Sequence, residues 1–176
     1  VEMYGMTQVE KIPVGINLHR IEADKYGKLW VTSRGNYGSV RSKMFVLERE
    51  NKFSHKMVVT DTLDIPCSEM CIQGDSLYFY SVEWNNQEER NNITYGIINV
   101  RTRELITDHF ITDGTEQNIE IPYGINVNPA NGDIYVTDAK NYVSSGALHC
   151  YSREGKKKWS VRAGDIPAHM VFLFKK

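Results

Sequence analysis

Four Ile-Pro pairs divide the sequence into similar units: Ile12-Pro13, Ile65-Pro66, Ile121-Pro122 and Ile166-Pro167. The pairs are roughly 45 to 56 residues apart, and the first three are each followed by the same order of short runs. These runs are rich in β-branched and aromatic residues and are separated by Gly, Asn or Asp, as strands joined by turns are. A period of this size predicts an array of similar structural units.

The third unit shows the pattern most clearly. Gly124–Asn128 and Ile134–Thr137 alternate apolar and polar residues, and Asn131-Gly132 between them tolerates the positive φ of a hairpin turn. Further strand-like runs cover Ala147–Tyr151 and Trp159–Arg162. The first unit predicts four such strands, at 15–20, 29–32, 44–47 and 53–59. The second unit predicts another four, at 68–72, 77–80, 96–100 and 105–111.

Four antiparallel strands in about 50 residues are typical of one blade of a β-propeller. We therefore predict a single all-β domain over residues 1–176. Because no run of ten residues keeps a helical period, we expect almost no helix. A β-sandwich also has short, evenly spaced strands, but it does not require identical sets of four. The predicted blades cover 12–60, 65–112 and 121–165, with lone strands at 1–9 and 168–174.

The predicted blade count is too low for a closed ring. Known propellers have four to eight blades, and an open arc exposes the edges of its strands. We therefore expect an incomplete ring. Either missing N-terminal blades precede this chain in a longer propeller, or a second copy closes the ring.

Composition excludes several classes of function. The 176 residues carry a net charge of −1, without the basic excess of a nucleic-acid-binding domain. No stretch approaches the ~20 apolar residues of a transmembrane helix. Cys67, Cys71 and Cys150 are odd in number and lack a C-x-x-C motif, so we expect buried free thiols. Since phosphate-loop, dinucleotide and nucleophile-elbow motifs are missing, the sequence assigns neither cofactor nor catalytic residue.

Ile125–Ala139, in which Pro-Ala-Asn-Gly-Asp precedes Ile-Tyr-Val-Thr-Asp, resembles a YVTN repeat. With Asn17-Leu18-His19-Arg20, it makes the chain similar to the C-terminal portion of YncE-like and NHL-like bacterial propellers, which have seven blades. The resemblance implies a secreted, periplasmic or lipid-anchored surface protein. It implies a fold rather than an activity, because propellers support unrelated functions. The middle unit departs from the pattern, with Cys67-Ser68-Glu69 where the first has Val14-Gly15-Ile16.

We predict that a ligand binds to the loops on one face of the propeller, because loops supported by a rigid sheet commonly carry function. Aromatic residues beside amides recur in the loop after the second strand of each unit, a mixture that suits a glycan, peptide or protein ligand. Alternatively, the asparagines only fix turns. The candidates are Arg34, Asn36, Tyr37, Glu83, Trp84, Asn85, Asp138, Lys140, Asn141 and Tyr142.

A second group of polar residues is predicted to line the central channel: Asn17, His19, Glu69, Asn126 and His169. Two histidines and a glutamate can bind a metal, but their spacing forms no motif and we assign no metal.

The sequence favours a non-enzymatic ligand- or partner-binding scaffold. The alternative is a metal-dependent, lactonase-like propeller enzyme that uses Glu69, Asn17, Asn126 and Asp138. Asn17 and Asn126 occupy the same position of their repeats, which suits a structural role better than a unique metal ligand. A third possibility is a surface-layer or adhesion module whose only role is assembly.

Overall fold

The structure is a computed structural model that describes residues 11–36 and 39–174. The predicted strand at 1–9 and the candidate Tyr37 lie outside the described residues. The described chain has a single helical turn, the 3₁₀ turn Thr115–Asn118, which confirms the all-β prediction. Its strands are β1 (Leu18–Ala23), β2 (Leu29–Ser33), β3 (Lys43–Arg49), β4 (Met57–Leu63), β5 (Glu69–Gln73), β6 (Ser76–Asn85), β7 (Arg90–Asn99), β8 (Leu105–Thr107), β9 (Pro122–Val127), β10 (Ile134–Asp138), β11 (Ala147–Tyr151) and β12 (Lys157–Arg162).

The strands form three separate four-stranded antiparallel sheets, each in sequence order. We call β1–β4 blade 1, β5–β8 blade 2 and β9–β12 blade 3. None of the sheets closes into a barrel. The first strand of blade 2, β5, contacts the first strands of both other blades, β1 and β9. The predicted fold is thus confirmed: the sheets are propeller blades in an incomplete ring.

Two strands of blade 1 begin later than predicted, each for a local reason. Asn17 has a left-handed backbone, with φ of 54°, so β1 cannot begin before Leu18. In the turn before β4, the side chain of Asn51 accepts a hydrogen bond from the backbone N–H of Phe53, and Ser54 Oγ accepts one from Lys56. These side-chain bonds prolong the turn, and β4 starts at Met57.

Blade 2 contains a long hairpin where the sequence predicts a polar loop at 83–92. Strands β6 and β7 stay paired to Asn85 and Arg90, which leaves only residues 86–89 for the turn. The loop prediction is wrong because polar side chains are tolerated on strands that reach into solvent. Val82 and Ile93, which face each other in the ladder, also continue the β-branched pattern beyond the predicted end of the strand.

Two apolar clusters join the blades face to face. Because side chains alternate across each strand, one face of blade 2 packs on blade 1 and the other on blade 3. The cluster between blades 1 and 2 contains Trp30, Met44, Val46, Leu63, Cys67, Met70, Leu77, Phe79, Ile98 and Val100. The cluster between blades 2 and 3 contains Cys71, Tyr80, Tyr95, Phe110, Ile111, Ile119, Ile125, Val127, Ile134, Val136 and Tyr151. All three cysteines are buried and free, as predicted.

Charged side chains add a second connection between blades 1 and 2 at the surface. The Arg103 guanidinium on blade 2 contacts Asp61 at 2.9 Å and also Glu48, both on blade 1. The bond from Arg103 holds the pKa of the Asp61 carboxyl below its usual value. These side chains are partly buried, and ion pairs near the surface contribute about 1 kcal/mol or less each, so the apolar clusters dominate.

The segment after blade 3 is not the strand predicted at 168–174. It lies on the face of blade 3 that points away from blade 2. The Thr137 hydroxyl donates a hydrogen bond to the carbonyl of Pro167, and Asn126 Nδ2 donates one to the carbonyl of Met170 at 3.1 Å. The ring of Phe172 meets that of Tyr135 edge to face at 5.3 Å. Bonds from side chains therefore take the place of a strand ladder.

Candidate functional site

The loops from second to third strands and from fourth strands to the next blade lie at one edge of the sheets, because neighbouring strands run antiparallel. We call this edge the rim. In blades 1 and 3, a backbone bond ties the loop to the segment that enters the first strand. These bonds run from Arg34 N–H to the Asn17 carbonyl at 3.0 Å and from Ala139 N–H to the Ile121 carbonyl at 2.9 Å. The described rim residues are 34–36, 39–42, 64–68, 86–89, 108–121 and 139–146.

The rim loop of blade 3 is fixed from below by Asp138. This buried carboxylate accepts hydrogen bonds from the backbone N–H groups of Ile121 at 2.9 Å, Lys140 at 2.8 Å and Glu120 at 3.2 Å. The structure therefore places Asp138 beneath the rim, with its oxygens occupied by backbone donors. It joins two rim segments rather than facing a ligand.

Asn141 fixes the tip of the same loop. Its side-chain oxygen accepts bonds from the N–H groups of Val143 and Ser144, at 3.1 and 2.8 Å. The flanking residues Lys140 and Tyr142 both have left-handed backbones, with φ of 50° and 62°. Such conformations are unfavourable for residues other than glycine and persist where the surroundings enforce them, which is common at functional sites. The loop is held in one conformation before any ligand arrives.

This loop presents an aromatic pair at the rim. Tyr142 meets Tyr123, on β9, edge to face with ring centroids 5.8 Å apart. The two residues remain 48% and 37% exposed. Edge-to-face packing fixes the rings relative to each other and leaves ring surface open to solvent. Tyr142 was predicted as a site residue, whereas Tyr123 was not considered, because it directly precedes the predicted strand Gly124–Asn128 and lies outside the predicted loops.

The rim loop of blade 1 uses an asparagine in the same way. Asn36 accepts a hydrogen bond from the Val40 N–H at 2.8 Å and donates one to Ser39 Oγ. These bonds support the alternative in which Asn36 only fixes a turn. The bonds of Asn141 support the same alternative for Asn141. Arg34 is half-buried beside this loop.

The blade 2 candidates lie on β6 instead of in a loop. Glu83 and Trp84 pair with Asn92 and Asn91 of β7, and both side chains are exposed. The Asn85 side chain accepts hydrogen bonds from the backbone of residues 87 and 88 and so fixes the hairpin turn. The structure thus places the three candidates on a paired hairpin instead of in an open loop.

The first strands of blades 1 and 2 bring His19 and Glu69 together. Glu69 is only 7% exposed, and its carboxylate contacts Arg20 Nε at 3.1 Å and His19 Nε2 at 3.7 Å. Burial lowers the pKa of His19, and the nearby Arg34 guanidinium lowers it further. The cluster therefore pairs a buried carboxylate with a guanidinium, while the imidazole is held towards its neutral form.

The other channel candidates are dispersed. Asn126 binds the Met170 carbonyl on the face of blade 3 opposite to that of Asp138, and His169 is exposed on the segment after blade 3. Asn17 is exposed before β1. Across residues 11–36 and 39–174, no three His, Cys, Asp or Glu side chains form a potential metal-binding group. Of the residues suggested for a lactonase-like centre, Asn126 and Asp138 thus lie on opposite faces of blade 3.

Sequence reasoning also missed a buried polar group between blades 2 and 3. Tyr95 Oη, Glu116 Oε2 and both ring nitrogens of His149 lack a hydrogen-bond partner in the described structure. Burial raises the pKa of the Tyr95 phenol and lowers that of His149. The only sequence signal was a histidine between apolar neighbours on a third strand.

Neither a family model nor a curated protein matches this chain. The resemblance to YncE-like and NHL-like propellers therefore stays a prediction, and so does the cellular location that it implies. In the described residues, no helix is long and apolar enough to cross a membrane.

Proposed function

We propose that the protein is a non-enzymatic scaffold that binds a ligand at the rim of blade 3. The observation that carries the proposal is the exposed Tyr123–Tyr142 pair on a loop that Asp138 and Asn141 hold in place. Fixed aromatic side chains offer a large contact area at a small entropic cost. Such a surface suits the flat face of a sugar ring or an extended peptide.

The buried carboxylates of Glu69 and Asp138 have a structural explanation. The Glu69 carboxylate is paired with Arg20, and Asp138 is occupied by three backbone donors. A role for either carboxylate as a metal ligand or as a general base would compete with these bonds. Binding of a ligand to the fixed rim surface requires no change in these bonds. It therefore accounts for the rim more simply than catalysis does.

The test is a binding screen with immobilised glycans and peptides, followed by alanine substitution. Tyr142→Ala should weaken binding to the strongest ligand by about tenfold or more, because central aromatic contacts dominate most interfaces. The matched control is Phe53→Ala, which removes a 95% exposed aromatic ring from the opposite edge of blade 1. A screen without any binder, or equal binding by the two variants, would contradict the proposal.

A further inference from the structure

A groove runs along the outer side of blade 3. It lies between the rim loop at 139–146, which Asp138 and Asn141 fix, and the end of β12. Its volume is about 410 Å³. Two cationic side chains and three hydroxyls line it, and no acidic side chain does. These five residues are Lys140, Arg162, Ser144, Ser145 and Ser160.

The two cations of the groove are not neutralised by the protein. Within the described residues, neither Lys140 nor Arg162 has a carboxylate within salt-bridge distance, whereas Lys158 on the same blade contacts Asp133 at 2.6 Å. The whole chain has a net charge of −1, so the positive character is local to this groove. A concave surface with uncompensated positive charge attracts anions.

The groove is also built to hold its shape. Arg162 Nη2 donates a hydrogen bond to Ser145 Oγ at 2.8 Å, which orients the guanidinium and leaves its other N–H groups available. Gly146 and Gly164 are joined by a backbone bond at 3.0 Å. The Lys140 backbone is fixed by its bond to Asp138. The cations therefore sit on a rigid frame.

We propose that this groove binds the anionic group, a carboxylate or a sulfate, of an acidic glycan whose sugar ring packs on Tyr142. The inference rests on the proposed function and names the ligand class for that rim. The three serine hydroxyls can exchange hydrogen bonds with sugar hydroxyls, and guanidinium groups bind carboxylate or sulfate through paired N–H donors. The exposed ring surfaces of Tyr123 and Tyr142 offer a flat contact on which a sugar ring can pack.

The experiment measures binding of the full chain by calorimetry to matched oligosaccharides. The probes are oligogalacturonate, its methyl ester and a sulfated oligosaccharide of equal length, with oligoglutamate as the peptide arm. We expect the acidic sugars to bind, the methyl ester to bind at least about tenfold more weakly, and affinity to fall as salt rises. A preference between the first and third probes separates carboxylate from sulfate.

Substitutions locate the anion. Arg162→Gln should weaken oligogalacturonate binding about tenfold and Lys140→Gln about threefold, because the arginine is the better oriented donor. The control Lys156→Gln, which removes an exposed cation from the opposite end of blade 3, should leave binding unchanged.

The inference is overturned if no acidic sugar binds, if the methyl ester binds as tightly as the acid, or if oligoglutamate is preferred. It is likewise overturned if Arg162→Gln binds as the wild type does. Failure of the proposed function has a different signature, in which Tyr142→Ala has no effect on any ligand.

Discussion

His149 lies on β11 at the contact between blades 2 and 3, only 5% exposed, and neither ring nitrogen has a hydrogen-bond partner in the described structure. Burial is the main cause of its lowered pKa. The Lys157 and Lys140 ammonium groups lower the pKa further, whereas Asp138 raises it. A buried imidazole without partners is tolerated only in its neutral form. This residue therefore makes the contact between blades sensitive to acid.

We predict that His149→Gln reduces the loss of stability on acidification. The folded pKa lies below the unfolded value of 6.5, so the unfolded chain binds more protons as the pH falls through 6.5. The free energy of unfolding of the wild type must therefore fall as the pH drops from 6.5 towards the folded pKa. His149→Gln has no imidazole at this position and lacks this pH-dependent loss. Urea unfolding at pH 7 and pH 5 measures the difference, with the exposed His55→Gln as control. An unchanged pH dependence in His149→Gln would contradict the account.

Asp138 shows which site residues a sequence pattern can identify. The sequence predicted that the strand ends at Thr137 and that Asp138 begins the next loop, whereas in the structure Asp138 is the last residue of β10. The pattern could not show that nearby backbone N–H groups would occupy its oxygens, because those bonds depend on how the chain enters β9. Tyr142 could be placed in an exposed loop, because loop residues with no apolar period are usually exposed.

At the scale of elements, the segment after blade 3 depends on a glycine. A Cβ added to Gly124 on β9 would lie only 1.9 Å from the carbonyl oxygen of Ala168. The absent side chain thus permits the close approach of this segment to blade 3. The repeated Ile-Pro pair predicted where the segment begins, but not its lack of ladder bonds. That feature follows from side chains such as Asn126, which bind its carbonyls.

Gly124→Ala should lower the free energy of unfolding by about 1–3 kcal/mol, because the backbone must shift to admit the methyl group. Gly164→Ala is the matched control, since a Cβ there meets no atom within 4 Å. Denaturant melts of both variants give the comparison. Equal stability of the two would show that the segment does not pack against β9 as described.

At the scale of the whole molecule, the blades were predictable and the rim was only partly so. The period of the strands predicted three sheets, because each blade buries a similar set of alternating residues such as Trp30, Leu77 and Ile134. The length of each rim loop depends instead on local pairing, which is why the hairpin of blade 2 was mistaken for a loop.

The two ends of the arc keep apolar residues exposed: Ile21 and Val59 on blade 1, and Val171 and Leu173 after blade 3. These residues agree with the expectation that further blades or a second copy cover both ends, which stays a prediction. Ligand binding at the rim does not require further blades or a second copy. The bonds that fix the rim loop of blade 3 are all made within this chain.

Hydrogen–deuterium exchange of the full chain, with and without the strongest ligand from the binding screen, tests the central claim most directly. The account predicts slower exchange on ligand addition at the rim of blade 3, over residues 119–123 and 139–146. It predicts no change at the opposite edge, over residues 49–56 and 152–156. Protection confined to the opposite edge, or to the hairpin turn of blade 2 at 86–89, would contradict the assignment of the rim of blade 3 as the binding site.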